Sequence, residues 1–456
     1  MKKKLQKYVS TTNACKLCKP LGACLAFRGI EGAVPYLHGS QGCATYMRRY
    51  IISHFREPMD IASSSLSEKH AIYGGGPNLK LGLSNVITSY DTRMIGVATT
   101  CLTETIGDDV PMILHEFRQE FDELLERHHR PELVRVSTPS YSGTHMEGFH
   151  EAVRAVVDQL AGNGEASSAV NMFPGFLSPA DIRHLKEITA DFGLSAVILP
   201  DISLTLDGPA AQTYDKIPAG GTPLSDIKLM GSARASVEFG RTLDTAESAA
   251  TMLSDKYEIP RHHMGTPIGL RETDTFFNAL EELSGRPTPE NHALERGRLI
   301  DAYVDGHKYI SGKKAVIYGE EDLVVGLTSF CAEIGIRPLL CASGGKSGRL
   351  EASVRAVTDD LLEAPPPVKE GTDFYEIAEE IESLGPDLLI GSSKGFKSAR
   401  QLDIPLIRIG FPIHDRFGGQ RILHIGYRGA QTLLDTIVNA IIEARQDASD
   451  IGYGYY

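Results

Sequence analysis

Short apolar runs alternate along this chain with longer stretches whose apolar residues recur at helical spacing. The runs at 32–37, 94–98, 133–136, 169–172, 196–199, 314–318, 337–341, 388–390 and 405–409 are nearly continuous rather than alternating. A strand covered on both faces reads this way, because neither face meets water. Stretches at 44–52, 79–90, 110–128, 147–160, 181–192, 242–257, 273–283, 287–303, 323–334, 374–382 and 429–443 place apolar residues on one helical face. Strand, helix and strand at this spacing is the βαβ pattern. It predicts an α/β chain of three Rossmann-like domains with mostly parallel sheets. The polar segment 161–168, with its Gly, Asn and Ser, marks the first boundary. The expected units are 1–165, with a short polar arm at 1–14, then 166–305 and 306–456. Ser65 with Glu68 reads as a capping box.

Several of these runs deliver chemistry to their carboxyl ends, where α/β proteins build sites. The strand at 32–37 feeds the Gly39–Gly42 loop and Cys43. The strand at 94–98 leads into Thr99-Thr100-Cys101, and that at 133–136 leads toward Ser140. Cys43 would stand at a helix N-terminus, where the dipole favours a thiolate. A thiolate binds soft iron, and the small residues around each cysteine leave room for sulfide. Cys15 and Cys18 form one CxxC pair, which alone fits a zinc half-site, a redox pair or chance. On the cysteines alone, a metal cluster and a set of buried apolar thiols remain equally open. Cys24, Cys331 and Cys341 read as core. Glu104, Asp108 and Asp109 read as helix caps or interface residues before metal ligands. Asp201 and Asp207 read as a solvated loop, and the His414-Asp415 pair as packing. Arg48, Arg49 and Arg56 are either solvated or partner-facing. Gly344-Gly345-Lys346-Ser347 is not a phosphate loop, because Leu340 stands where that pattern requires glycine.

Composition narrows the class. Hydrophobic residues make up 42% and charged residues 23% of 456, as in folded soluble proteins. A net charge of −13 argues against nucleic acid as the main partner. No apolar run approaches about 18 residues, so no membrane span is expected. Seven cysteines with no signal-like segment fit a reducing cytoplasm.

Four runs, in this order, carry a resemblance. They are Lys16-x-Cys18-x-Pro20-Leu21-Gly22-Ala23, His38-Gly39-Ser40-Gln41-Gly42-Cys43, His54-Phe55-Arg56-Glu57-Pro58, and Thr99-Thr100-Cys101 followed by Glu104 and Ile106-Gly107-Asp108-Asp109. Together they resemble the beta-type subunits of the nitrogenase component 1 family. Thr138-Pro139-Ser140, Gly410-Phe411-Pro412 and Gly426-Tyr427-Arg428-Gly429 extend the resemblance more loosely over the rest of the chain. It implies an oxidoreductase subunit paired with a homologous alpha-type subunit in an α2β2 complex. It also implies an ATP-dependent iron protein as electron donor and an eight-iron (8Fe-7S) P-cluster at the subunit interface. The matched ligand positions are Cys18, Cys43 and Cys101 as thiolates and Ser140 as a hydroxyl that binds one iron on oxidation; Cys15 is not among them. The catalytic cofactor would lie in the alpha subunit. The ligand set together with the general character of the chain points to a nitrogenase-like reductase of the methylthio-alkane reductase type. The alternatives are the beta-type subunit of the cofactor-assembly scaffold, with a four-iron (4Fe-4S) cluster, and a true nitrogenase beta subunit.

Overall fold

The computed structural model describes residues 16–450 apart from 211 and 214. Cys15, the arm at 1–14 and the aromatic tail at 451–456 lie outside the described residues. Within them the chain builds three sheets in which every strand pair is parallel. The first contains β1 (Ala33–His38), β2 (Ala62–Ser63), β3 (Met94–Thr99) and β4 (Glu132–Val136), in the order β2-β1-β3-β4. The second contains β5 (Val170–Phe173), β6 (Ala196–Ile198), β7 (Ala235–Phe239) and β8 (Arg261–Met264), ordered β6-β5-β7-β8. The third contains β9 (Lys314–Gly319), β10 (Arg337–Ser343), β11 (Val368–Lys369), β12 (Leu388–Gly391) and β13 (Leu406–Arg408), ordered β11-β10-β9-β12-β13.

The continuous apolar runs have the expected cause. β1 and β3 are buried at every position. Their alternate residues feed different cores. Val34, Tyr36, Ile95 and Val97 pack under helices Gly76–Ser89 and Val110–Glu120. Leu37, Met94 and Ala98 join a larger core with helices Lys19–Arg28 and His145–Leu160. That larger core continues through the second sheet into the third. The last helix, Gly426–Asp447, packs back on Glu290–Ile310 and Gly269–Ser284 of the middle region.

Two contacts fix the first sheet's surroundings. Helices Lys19–Arg28 and His145–Leu160 cross at backbone contact. A Cβ on Gly22 would stand 1.7 Å from the His145 carbonyl oxygen, and one on Gly148 would stand 1.9 Å from that of Lys19. The second contact is aromatic and joins all three sheets. The Phe411 ring, beyond β13, lies 4.9 Å from His54, 6.0 Å from Phe55 and 5.5 Å from Phe176. His54 ends the helix Gln41–Phe55, is 5% exposed, and its Nδ1 accepts the Ile413 N–H at 2.9 Å. Burial, with His414 and Arg56 alongside, pushes the His54 imidazole down to about 3.

Some local expectations change. The helix expected over 110–128 breaks at Phe121 into Val110–Glu120 and Asp122–Arg127. Ser65 starts no helix; its φ is 53°, and the next helix, His70–Tyr73, begins later. β8 escapes the apolar pattern because Arg261-His262-His263 lies at a sheet edge and stays partly exposed. The helices Leu350–Thr358 and Phe396–Leu402 are additional to those expected. No helix of the described residues is long and apolar enough to cross a membrane.

Gly22→Ala and Gly148→Ala should each lower stability by about 3 kcal/mol or more, since the added carbon meets backbone that cannot rotate away. Gly297→Ala, inside helix Glu290–Ile310 with nothing within 4 Å of its new carbon, should gain about 0.5–1 kcal/mol. Thermal melts of the three variants check the contrast; equal shifts would contradict it. Acid should also act through His54. The unfolded imidazole takes a proton near pH 6.5, whereas the folded one resists until about 3. Between those values the unfolded chain binds more protons, so stability falls as pH drops below about 6.5, by up to about 1.4 kcal/mol per pH unit from this group. His54→Gln, which can still accept from Ile413, should flatten that slope in melts measured from pH 7 to 5.

Candidate functional site

Parallel register sets the site. His38 of β1 pairs with Thr99 of β3, and Ala98 with Val136 of β4. The carboxyl ends of three adjacent strands therefore open at one edge of the sheet. They are tied together there. The Thr100 and Thr103 hydroxyls both donate to the His38 carbonyl, at 3.1 and 3.0 Å. Thr138 donates its N–H to the Thr99 hydroxyl at 2.9 Å and its own hydroxyl to the Thr99 carbonyl at 2.7 Å. Gly39 is required by close approach: a Cβ there would lie 2.2 Å from Thr100 Oγ1.

These ends carry the expected residues. Cys43 is the third residue of helix Gln41–Phe55, and the Ser40 hydroxyl donates to its Sγ at 3.4 Å. Cys101 is the first residue of helix Cys101–Ile106, and its Sγ accepts the Ser140 N–H at 3.2 Å. Cys18 stands directly before helix Lys19–Arg28, bridged antiparallel to Thr144. The His145 N–H donates to the Leu17 carbonyl at 3.1 Å, which fixes the same approach. Ser140 Oγ accepts the Lys19 N–H at 3.3 Å.

All three cysteines and Ser140 are half-buried. Burial raises the Cys18 thiol above its ordinary range. Its hydrogen bond with Ser140 pulls it back, and the neighbouring Cys43 and Cys101 add to the rise. The structure thus brings Cys18, Cys43, Cys101 and Ser140 together on one surface. Among the described residues, no three His, Cys, Asp or Glu side chains are gathered to hold one metal ion. Two thiols at strand ends and one before helix Lys19–Arg28 form an open donor set rather than a closed cage.

The neighbouring carboxylates are committed to the fold. Asp108 accepts from Gly75 N–H at 3.0 Å and pairs with His38 Nε2 at 3.0 Å. Asp109 caps helix Val110–Glu120 through Met112 N–H. Glu104 accepts from the Thr99 and Ser137 hydroxyls. Asp415 pairs with Arg408 at 2.7 Å, and His414 packs edge-on against Tyr50 at 5.2 Å. Cys24, Cys331 and Cys341 are fully buried. Asp201 and Asp207 correct the solvated-loop expectation: they are largely buried ion-pair partners of Lys186, and of Arg183 and Arg421.

Sequence reasoning missed His38 and His54 as positioning groups. His38, fully buried, bridges Ser64 and Asp108 directly beneath the Gly39 loop. Its place in the His38-Gly39-Ser40-Gln41-Gly42-Cys43 run was the available signal, as His54 beginning its own run was for the aromatic contact.

The profile described as "Nitrogenase component 1 type Oxidoreductase" matches residues 18–442. The chain is 35% identical over 435 residues to the nitrogenase molybdenum-iron protein beta chain of Clostridium pasteurianum, covering 94% of this chain and 93% of that one. It is 36% identical over 434 residues to the nitrogenase vanadium-iron protein beta chain of Trichormus variabilis, covering 93% and 92%. The solved structure described as "Nitrogenase Cp1 at pH 6.5" superposes with a TM-score of 0.93 at 33% identity, over 99% of this chain and 98% of that one. The sequence match and the superposition both run nearly end to end, and the chain belongs to the nitrogenase component 1 type oxidoreductases, as a beta-type chain.

Proposed function

We propose that this chain is the electron-relaying beta subunit of a nitrogenase, with Cys18, Cys43, Cys101 and Ser140 as its ligands to an iron–sulfur cluster shared with an alpha-type subunit. The observation that carries this reading is the meeting of those four side chains on one half-buried surface. The names of the relatives, molybdenum-iron and vanadium-iron protein beta chains, support a dinitrogen reductase over the methylthio-alkane reductase reading. Their designation as beta chains supports pairing with an alpha-type subunit, and the family resemblance implies an α2β2 complex supplied with electrons by an ATP-dependent iron protein.

The residues fit such a cluster. Three thiols supply soft donors, and Ser140 supplies a harder one suited to more oxidised iron. A cluster held here would supply one-electron storage and release between the iron protein and the catalytic cofactor of the partner. The chain's own groups do the rest. The Ser140 N–H donates to Cys101 Sγ and stabilises negative charge on that sulfur. The Lys19 N–H does the same for Ser140 Oγ, which must lose its proton to become a ligand. Oxidation of a cluster held here would then be coupled to proton release at that oxygen. Lys19 is buried, and its ammonium is held by Glu151 at 2.7 Å and donates to the Ser142 hydroxyl at 3.0 Å, which ties the backbone after Cys18 to the Ser140 loop.

Two measurements test the reading. Cys18→Ser should lower iron and sulfide per αβ pair in anaerobically purified complex, while Cys15→Ser leaves both unchanged; the reverse pattern would place the ligand register wrongly. Redox titration of Ser140→Ala should lose the pH dependence of the oxidised couple that the wild type shows, by up to about 60 mV per pH unit for a one-electron, one-proton step. Identical potentials and pH dependence would remove Ser140 from the ligand set. A complex with only four irons at this interface would instead favour the assembly scaffold.

A further inference from the structure

The aromatic contact that joins the three sheets encloses two small adjoining cavities, of about 30 and 20 Å³. Phe176 and Leu323 wall both, and Phe411 walls the larger. A void lined only by such side chains would forfeit packing contacts and stay dry. These voids are not apolar throughout. Glu320 and His424 also line both, and His54 lines the larger. All three are buried, at 7%, 5% and 5% exposure. A polar group held that deep needs a partner.

Each of the three has an atom left over. Burial keeps the His54 imidazole neutral, and its Nδ1 accepts the Ile413 N–H. The proton therefore sits on Nε2, which has no acceptor among the described residues. His145 repeats the pattern. Its Nδ1 accepts the Leu17 N–H at 3.3 Å, so its Nε2 donates to Glu320 Oε1 at 3.1 Å. Glu320 Oε2 is then without a donor among the described residues. His424 Nδ1 lies 2.8 Å from Asp181 Oδ2 but makes no well-aligned hydrogen bond. A donor without an acceptor and an acceptor without a donor thus share one enclosed space. That space is too small for an organic ligand. A cation would meet the Nε2–H of His54, and an anion would meet the Glu320 carboxylate. Water accepts from the first and donates to the second. Each water needs about 10–15 Å³ of such space, so the larger cavity holds about two and the smaller about one.

We propose that this junction is an ordered-water site, in which waters run from His54 Nε2–H to Glu320 Oε2 and a further water sits at His424. The water link spans two thiol-bearing segments. Glu320 holds His145, which holds the Leu17 N–H directly before Cys18. His54 belongs to the last turn of the helix whose third residue is Cys43. The site depends on the fold and stands whether or not the thiols hold a cluster. Diffraction from crystals of the purified complex, at a resolution where surface waters are ordered, tests it. Expected in every copy of the chain are about three water peaks in this space. One should lie about 2.7–3.2 Å from His54 Nε2 and one as close to Glu320 Oε2. Neutron diffraction after exchange into heavy water should show the deuteron on His54 Nε2 directed at the first. In His54→Phe, which keeps a ring and removes the nitrogens, that peak should be lost and those at Glu320 and His424 kept. Should the variant not assemble, the wild-type maps decide alone. An empty junction, a peak with the anomalous signal of a metal or chloride, a direct His54–Glu320 contact that closes the space, or an unmoved first peak in His54→Phe would each overturn the proposal.

Discussion

The close crossing of helices Lys19–Arg28 and His145–Leu160 is the constraint on which the rest depends. Glycine on both sides, Gly22 and Gly148, lets carbonyl oxygens sit where side chains would otherwise stand. Dispersion contacts at this range and the shared core of Leu21, Leu25, Phe149 and Val153 hold the pair, and at the glycines the nearest neighbour is backbone that cannot adjust. The crossing carries Cys18 to Thr144 and brings Lys19 N–H to Ser140. Without it, one thiol would be separated from the other two, which arrive independently on strands of the first sheet.

Those other two need only the parallel sheet. Neighbouring strands in register place their carboxyl ends at the same level, so Cys43 and Cys101 emerge side by side. Threonine hydroxyls on His38 and Thr99 then lock the ends to one another. The aromatic contact of Phe55, Phe176 and Phe411 ties this sheet to the other two. Site geometry in the first sheet is therefore sensitive to packing near the far end of the chain.

Much of this was legible in the chain. Continuous apolar runs marked buried parallel strands, and small residues with cysteine after two of them marked a site. The edge strand β8 was hidden because its histidines and arginine carry no apolar signal. Ser140 was legible only through family resemblance, since a turn serine after proline looks alike whether it caps a helix or binds iron. His54 was flagged only by opening its own run; its hydrogen-bond partner could not be read, because Ile413 lies in a different sheet's loop. The buried roles of Asp201 and Asp207 were missed for the same reason: Arg183 and Arg421 come from elsewhere. Local pattern encodes burial and secondary structure, whereas pairing across sheets is a property of the folded whole.

The central claim is that Cys18, Cys43, Cys101 and Ser140 form this chain's share of an iron–sulfur site at a subunit interface. Iron-edge anomalous diffraction from anaerobically grown crystals of the complex measures it directly. The account predicts iron peaks in bonding contact with all three cysteine sulfurs, between this chain and its partner. Peaks away from these residues, or none at them, would contradict it.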